Sequence, residues 1–107
     1  MATLITGAGL IGSRVARLLM ERGEPAWLYD VRPNPSVLAS VVDLGRVGLI
    51  QGDIEDGAAL DRVLREHRID RIVHTAALLT AGILLDIPCG IRTNVVGTVT
   101  VLEAARR

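Results

Sequence analysis

The segment LITGAGLIGSRVARLL, residues 4–19, places Gly7, Gly9 and Gly12 between a short apolar run and a helical pattern. Glycine loses more conformational freedom on folding than any other residue, so three at one strand-to-helix junction require a physical reason. The Gly-x-Gly-x-x-Gly spacing provides one. The first glycine permits a tight turn, the second lets bare backbone approach a pyrophosphate, and the third lets the helix pack closely on the strand. Since unpaired N–H groups at a helix start also favour an anion, the segment predicts a dinucleotide-binding turn.

Outward from this turn, short apolar runs alternate with longer amphipathic segments. The apolar runs predict four strands, at 2–6, 26–30, 47–51 and 71–76. The other segments predict a helix that stops at Gly23, a short helix capped by Ser36 and ending near Leu44, a helix capped by Asp56, an irregular connection over 77–90 and a last helix over about 91–106. This alternation predicts an α/β fold, a doubly wound parallel sheet of about four strands with helices on both faces, in one domain over residues 1–107.

Apolar residues at helical spacing predict which face of the first and last helices is apolar. They are Ile11, Val15, Leu18 and Leu19 in the first helix, and Val95, Val99 and Leu102 in the last.

The composition excludes several classes of protein. The 12 basic and 12 acidic residues balance, so no excess of positive charge points to nucleic acid or to a membrane surface. The sequence contains no apolar run of about 18 residues and no recognisable signal peptide, so we expect neither a membrane span nor secretion. The lone Cys89 cannot form an internal disulfide, which favours a cytoplasmic location.

Two acidic positions after later strands support nucleotide binding. Asp30 ends the second predicted strand, where its carboxylate can accept hydrogen bonds from the adenosine ribose hydroxyls; the alternative is a solvated turn aspartate. The residues GDI at 52–54 follow the third strand, where adenine should lie in this topology; the alternative is a simple strand-ending turn. With the glycine turn, these two positions predict a bound dinucleotide.

The charge at Asp30 also bears on the choice of cofactor. A carboxylate at this position repels the 2′-phosphate of NADP, which favours NAD. Arg14 and Arg32 would have the opposite effect if they paired with that phosphate, but a solvated surface position is the preferred interpretation of both. We therefore expect NAD, with NADP the less favoured cofactor.

Five stretches, in this order and spacing, resemble the N-terminal part of the extended short-chain dehydrogenases/reductases, the NAD-dependent epimerase/dehydratase family. The stretches are ITGAGLIGS, the strand-ending YD, GDI, VHTAA and NVVGTVTVLEAA. The resemblance covers nearly the whole chain. It implies that the backbone around Leu10 and Ile11 lines the pyrophosphate together with the three glycines, and that Asp30 holds the adenosine ribose.

The resemblance also assigns roles to residues near the other strands. It implies that Asp53 meets the adenine through its side chain and Ile54 through its backbone. It further implies that three residues after the fourth strand pass beside the ribose nearer the nicotinamide: Ala76, Ala77 and Leu78. Asn94 matches the family asparagine that mainly supports the sheet and the active site.

The chain departs from the family pattern in two ways. The usual TGxxGxxG turn is one residue shorter here, at Thr6–Gly9, as in ordinary dehydrogenases. The catalytic Tyr-x-x-x-Lys pair is missing, because the chain has no lysine and its only tyrosine, Tyr29, lies on the second strand, where it is expected to pack. The resemblance thus implies the cofactor-binding portion of an enzyme on nucleotide-sugars or similar hydroxyl substrates, inactive by itself. The alternatives are a non-catalytic NAD(H)-sensing module and a structural domain whose glycines serve only packing.

The remaining reactive side chains predict structural roles, and we assign no catalytic residue. His74 in the fourth strand is expected to be buried and hydrogen-bonded rather than a base, Ser13 to serve the helix start, and Cys89 to fill apolar space. Two distant histidines and one cysteine predict no metal site. The fourth strand should have an unpaired outer edge, which predicts self-association through that edge, as a homo-oligomer, or marginal stability.

Overall fold

A parallel sheet forms the centre of the computed structural model, which describes all residues from Met1 to Arg107. Its strands are β1 (Thr3–Thr6), β2 (Ala26–Asp30), β3 (Gly48–Gln51) and β4 (Arg71–His74), and they lie in the order β3-β2-β1-β4. The central strand β1 pairs with β2 on one side and with β4 on the other. All four carboxyl ends therefore meet at one edge of the sheet, which we call the carboxyl edge.

Helices cover both faces of this sheet, as the sequence predicts. They are α1 (Leu10–Glu21), α2 (Pro35–Leu38), α3 (Gly57–Glu66), α4 (Thr80–Leu85), α5 (Ile87–Ile91) and α6 (Gly97–Arg106), with a π-helical segment at Arg92–Val96. One core lies under α1 and α2, around Ile5 and Leu28. The other lies under α3 and α6, around Leu4 and Tyr29. The doubly wound Rossmann-like α/β fold is confirmed. None of these helices combines the length and apolar character needed to cross a bilayer.

Two predicted helix boundaries are confirmed by their local chemistry. The Asp56 carboxylate accepts a hydrogen bond from the Ala59 N–H at 3.0 Å and so caps the start of α3. Gly23 follows the end of α1 with a φ of +71°, a left-handed conformation that favours glycine, and its N–H donates to the Met20 carbonyl.

Other predicted boundaries are wrong. The second helix begins at Pro35 and is capped by Asn34, whose side chain accepts from the Val37 N–H, rather than by Ser36. Proline is well suited to the first helical position because its missing N–H would be unpaired there anyway. The connection over 77–90 is also not irregular: it contains α4 and most of α5, and the Asp86 carboxylate caps α5.

The predicted apolar stripe of α1 is buried only in part, because Val15 and Leu19 pack against the core, and the stripe of α6 is largely exposed. Ile11 and Leu18 are more than half exposed, and so are Val95, Val99 and Leu102. The most deeply buried residues of these helices are mostly small: Gly12, Ser13 and Ala16 in α1, and Gly97, Val101 and Ala104 in α6. Hydrophobic periodicity cannot show this because close helix–sheet packing selects for small size as well as for apolar character.

Candidate dinucleotide-binding site

Two of the three glycines in the β1–α1 turn are explained by the protein itself. Gly7 has a φ of +89°, and a Cβ there would lie 2.7 Å from Thr75 Oγ1 and 2.8 Å from the Ala76 nitrogen. A Cβ at Gly12 would overlap the carbonyl oxygen of Gly7. Both positions are thus needed for α1 and the end of β4 to pack against the turn, whether or not anything binds there.

Gly9 differs from its two neighbours in the motif. Its φ of −89° is open to any residue, and no protein atom lies within 4 Å of a Cβ built at this position. Packing therefore gives no reason for a glycine at position 9. The space that a side chain would fill is open, directly in front of the first turn of α1.

The backbone at this helix start is rich in unpaired donors. The N–H groups of Gly9, Leu10, Ile11 and Gly12 have no hydrogen-bond partner in the protein, and the first helical bond is from Ser13 to the Gly9 carbonyl. No side chain caps the helix, and its first turn contains no acidic residue. The side chains of Leu10 and Ile11 are 75% and 67% exposed, so they leave the backbone uncovered. Four free donors at the positive end of a 12-residue helix are suited to an anion such as phosphate.

Asp30 lies beside this turn and contacts it directly. Its Oδ2 accepts from the Ala8 N–H at 2.8 Å, and its Oδ1 accepts from the Arg32 N–H at 2.8 Å. Because a carboxylate offers about four acceptor positions, it can still accept from a ribose hydroxyl. Arg14 and Arg32 are exposed and form no ion pair, so no cation neutralises Asp30.

The buried side chain of Tyr29 supports the turn after β3. This side chain is 1% exposed, and its hydroxyl donates to the Asp53 carbonyl at 3.0 Å. A Cβ at Gly52 would overlap the tyrosine ring, so this glycine allows the ring to lie under the turn. Burial raises the pKa of Tyr29, and the negative charges of Asp56 and then Asp53 raise it further, against a smaller opposite effect of Arg62.

At the same turn, an unpaired donor and an unpaired acceptor lie next to each other. The Ile54 side chain is only 6% exposed and packs in the core, but its backbone N–H has no partner. Asp53 is exposed, and its Oδ1 accepts from the Glu55 N–H at 2.9 Å while Oδ2 has no partner. A carboxylate oxygen beside a free N–H complements a ring edge that presents a donor next to an acceptor, as adenine does.

On the other side of β1, the loop Ala76–Leu78 follows β4, with Ala77 exposed and Ala76 and Leu78 half-buried. Asn94, in the π-helical segment, holds this loop with both ends of its amide: Oδ1 accepts from the Leu78 N–H at 2.7 Å, and Nδ2 donates to the Leu78 carbonyl at 2.9 Å. Thr75 joins the loop to the glycine turn, because its hydroxyl donates to the carbonyls of Thr6 and Gly7. The structure thus brings Ala76–Leu78 and Asn94 to the same edge as the glycine turn.

Sequence reasoning missed several residues that shape this edge. Thr6, Thr75 and Thr98 contribute hydroxyls to it, and Tyr29 supports the Asp53 turn as well as filling the core. The signal was present for two of them, since Thr6 and Thr75 lie at or just after the ends of adjacent strands. Thr98 lies within the stretch NVVGTVTVLEAA, but nothing in that stretch indicates that its hydroxyl bonds to His74, 24 residues earlier.

The fold and site together define a class of protein. An open parallel sheet of this strand order, with an uncapped, anion-accepting helix start after its central strand, is a Rossmann-type α/β domain. The chain belongs to the NAD dependent epimerase/dehydratase family, which it matches over residues 3–107.

Individual relatives support this family membership. The chain is 39% identical to dTDP-glucose 4,6-dehydratase of Streptomyces antibioticus, covering 100% of this chain and 34% of the relative. It is 35% identical to UDP-glucose 4-epimerase of Yersinia enterocolitica, covering 96% and 32%. The chain therefore spans about a third of the length of these relatives.

Solved structures of similar proteins show the same fold. The chain superimposes with a TM-score of 0.84 and 30% identity on UDP-glucose-4-epimerase from Stenotrophomonas maltophila, determined with bound NAD and formylated UDP-arabinopyranose. It superimposes with a TM-score of 0.81 and 30% identity on dTDP-glucose 4,6-dehydratase from Bacillus anthracis in complex with NAD. Each match covers 99% of this chain and about a third of the solved one, 33% and 34% respectively.

Proposed function

We propose that this chain binds NAD at the carboxyl edge, as the cofactor-binding portion of an NAD-dependent epimerase or dehydratase. The observation that carries the proposal is Gly9, where the fold needs no glycine, yet open space lies in front of four unpaired backbone N–H groups. Those donors are suited to the pyrophosphate. The alternative hypothesis, a structural domain whose glycines serve only packing, does not explain the open space at Gly9 or the unpaired donors. Gly7 and Gly12 shape the turn, and the backbone of Leu10 and Ile11 faces the phosphates.

The remaining parts of the cofactor then have complementary groups. Asp30 accepts from the adenosine ribose, and its negative charge disfavours the 2′-phosphate of NADP. The Asp53 carboxylate and the Ile54 N–H meet the adenine edge. Ala76, Ala77 and Leu78 lie beside the ribose nearer the nicotinamide, held by Asn94.

The residues that are present support cofactor binding by this chain without catalysis. NAD, when bound, supplies a hydride acceptor. The family's Tyr-x-x-x-Lys pair has no equivalent here, since there is no lysine and Tyr29 is buried with its hydroxyl donated to Asp53. We propose a nucleotide-sugar as the substrate of the whole protein, because the relatives are named for UDP-glucose and dTDP-glucose. Without a Tyr-x-x-x-Lys further along the gene, the same site would instead serve NAD(H) sensing.

Calorimetric titration of the 107-residue chain with NAD tests the proposal. We expect saturable binding by the wild type and a loss of about tenfold or more in Gly9→Val, whose side chain would fill the space before the free donors. Gly57→Ala is the matched control, because it also changes a glycine at a helix start on this edge, but its Cβ meets Thr100 at an ordinary 3.5 Å. Equal binding by wild type and Gly9→Val, or no binding by either, would overturn the proposal.

We further propose a cytoplasmic location, because a single cysteine cannot form an internal disulfide.

We also propose that the chain self-associates through the free edge of β4. β4 pairs only with β1, so its other side presents unpaired backbone groups. Sedimentation equilibrium should show association that persists in Leu102→Glu, which charges the exposed stripe of α6 instead of the sheet edge. A strictly monomeric wild type would contradict this proposal.

A further inference from the structure

A chain of hydrogen bonds crosses the carboxyl edge from the glycine turn to the π-helical segment. Thr6 Oγ1 lies 2.6 Å from His74 Nδ1, and His74 Nε2 lies 3.0 Å from Thr98 Oγ1. At one end the Ala76 N–H donates to Thr6 Oγ1, and at the other the Thr98 hydroxyl donates to the Asn94 carbonyl at 2.8 Å. The imidazole thus bridges β1 and α6.

The partners at each end determine where the protons lie. Because the Thr98 hydroxyl gives its proton to the Asn94 carbonyl, it must accept from His74, so Nε2 carries a hydrogen. Thr6 Oγ1 accepts from the Ala76 N–H and is free to donate its own proton to Nδ1. The bonds therefore require a hydrogen on Nε2, and in a neutral ring the Nδ1 lone pair then accepts from Thr6.

Both ring nitrogens are therefore already occupied. A general base needs a nitrogen lone pair free to accept a proton from substrate, and here the Nδ1 lone pair is taken by Thr6. Burial lowers the pKa of His74, in the direction that keeps the ring neutral. The geometry points to a structural link and not to proton transfer, in agreement with the sequence prediction for this residue.

The link determines the position of a loop that belongs to the proposed site. Ala76–Leu78 is held at its first residue through Thr6 and at its last through Asn94. His74 bonds Thr6 directly and is linked to Asn94 through the Thr98 hydroxyl. We propose that His74, as the neutral Nε2–H tautomer between Thr6 and Thr98, is a positioning residue that holds this loop at the distance required by the nicotinamide-side half of the cofactor. This inference rests on the proposed NAD site and adds a residue to which neither the sequence nor the family match assigns such a role.

Because the loop lies on the nicotinamide side of the proposed site, we expect the loss of this link to affect the binding of NAD but not that of ADP. In the proposed complex the pyrophosphate and adenosine groups face α1, Asp30 and the Asp53 turn, whereas the His74 side chain hydrogen-bonds to Thr6 and Thr98. Weakening the link should therefore reduce affinity for NAD and leave affinity for ADP, which lacks the nicotinamide half, unchanged. A general loss of fold would instead lower both affinities together.

Thr98→Val tests this with little change in shape. It removes the hydroxyl that accepts from Nε2, and we expect NAD affinity to fall about tenfold with ADP affinity within about twofold of wild type. Thr100→Val is the matched control, because it removes a hydroxyl on the same helix that donates to a backbone carbonyl four residues earlier and does not touch His74. His74→Phe keeps a ring without nitrogen and should behave like Thr98→Val.

Nitrogen-15 NMR of the imidazoles gives a readout that does not depend on the cofactor. We expect His74 in the wild type to show a neutral ring protonated at Nε2 at pH 7, and this pattern to change in Thr98→Val. A charged ring, an Nδ1–H tautomer, or equal losses of NAD and ADP affinity in Thr98→Val would overturn the positioning role. Absence of NAD binding by the wild type would overturn the proposed function and with it the affinity claim, whereas NAD binding that is unaffected in Thr98→Val overturns only the role of His74.

Discussion

The two sides of β1 at the carboxyl edge are built differently. Towards β2, one six-residue motif contains the three glycines and the free donors of the turn over Gly7–Gly12, and the Asp30 carboxylate joins that turn by a single hydrogen bond to the Ala8 N–H, 22 residues away. Towards β4, the loop Ala76–Leu78 is held by side chains from Thr6, His74 and Asn94. The difference teaches that a site which presents bare backbone is specified locally, whereas one that positions a loop depends on residues far apart in the sequence.

The glycine turn offers the strongest test of this contrast. We expect Gly12→Ala to lower the free energy of unfolding by about 3 kcal/mol or more, because its methyl group would overlap the Gly7 carbonyl in a turn that has no room to relax. Gly9→Ala should change it by less than about 0.5 kcal/mol, since nothing lies near the added methyl group. Urea unfolding of the two variants measures both values. Similar stabilities would show that the turn is not packed in this way.

Asp30 provides the next largest effect and joins stability to cofactor choice. Asp30→Ala leaves the N–H groups of Ala8 and Arg32 without their acceptor, and we expect a loss of about 2 kcal/mol in the free energy of unfolding. It also removes the negative charge that would face the adenosine ribose in the proposed NAD complex. NAD affinity should fall, and the ratio of NADP to NAD affinity should rise, in parallel titrations with the two dinucleotides. An unchanged ratio would remove the role of Asp30 in selecting the cofactor.

The same contrast decides how much of the molecule could be predicted from the sequence. The four strands, the parallel sheet and the glycine turn follow from patterns within a few residues, and so do the caps at Asp56 and Gly23. The helices within 77–91 were missed because Gly82, Pro88 and Gly90 read as breakers, although Pro88 lies in the first turn of α5, where proline is tolerated.

Long-range packing accounts for the rest of the errors. The apolar stripe of α6 consists of Val95, Val99 and Leu102, but the buried residues are Gly97, Val101 and Ala104. Gly97 is required because Ile54, from another part of the chain, occupies the space that a Cβ there would fill. Tyr29 was assigned to packing alone because its partner, the Asp53 carbonyl, is 24 residues away. No local pattern contains either contact.

The smallest effect we predict is a response to alkaline pH, which distinguishes the support of the Asp53 turn by Tyr29 from the support of the loop Ala76–Leu78 by His74. Tyr29 is the only tyrosine in a chain without lysine, so it dominates titration near pH 10. Its pKa is raised above 10.0 in the folded protein by burial, so the folded state holds this proton more tightly than the unfolded chain does. Stability from this group is complete below pH 10.0 and is lost as the pH rises through the folded pKa.

Urea unfolding between pH 9 and pH 11 measures this loss, with Tyr29→Phe as the control. The variant should be less stable at neutral pH by about 1 kcal/mol, since it lacks the hydrogen bond to the Asp53 carbonyl, and its stability should fall less steeply above pH 10 than that of the wild type. His74→Phe should retain the wild-type alkaline slope, because the histidine link lies on the other side of β1. If Tyr29→Phe keeps both the full slope and the neutral-pH stability of the wild type, the buried hydroxyl does not hold the Asp53 turn, and that turn would then depend on backbone alone.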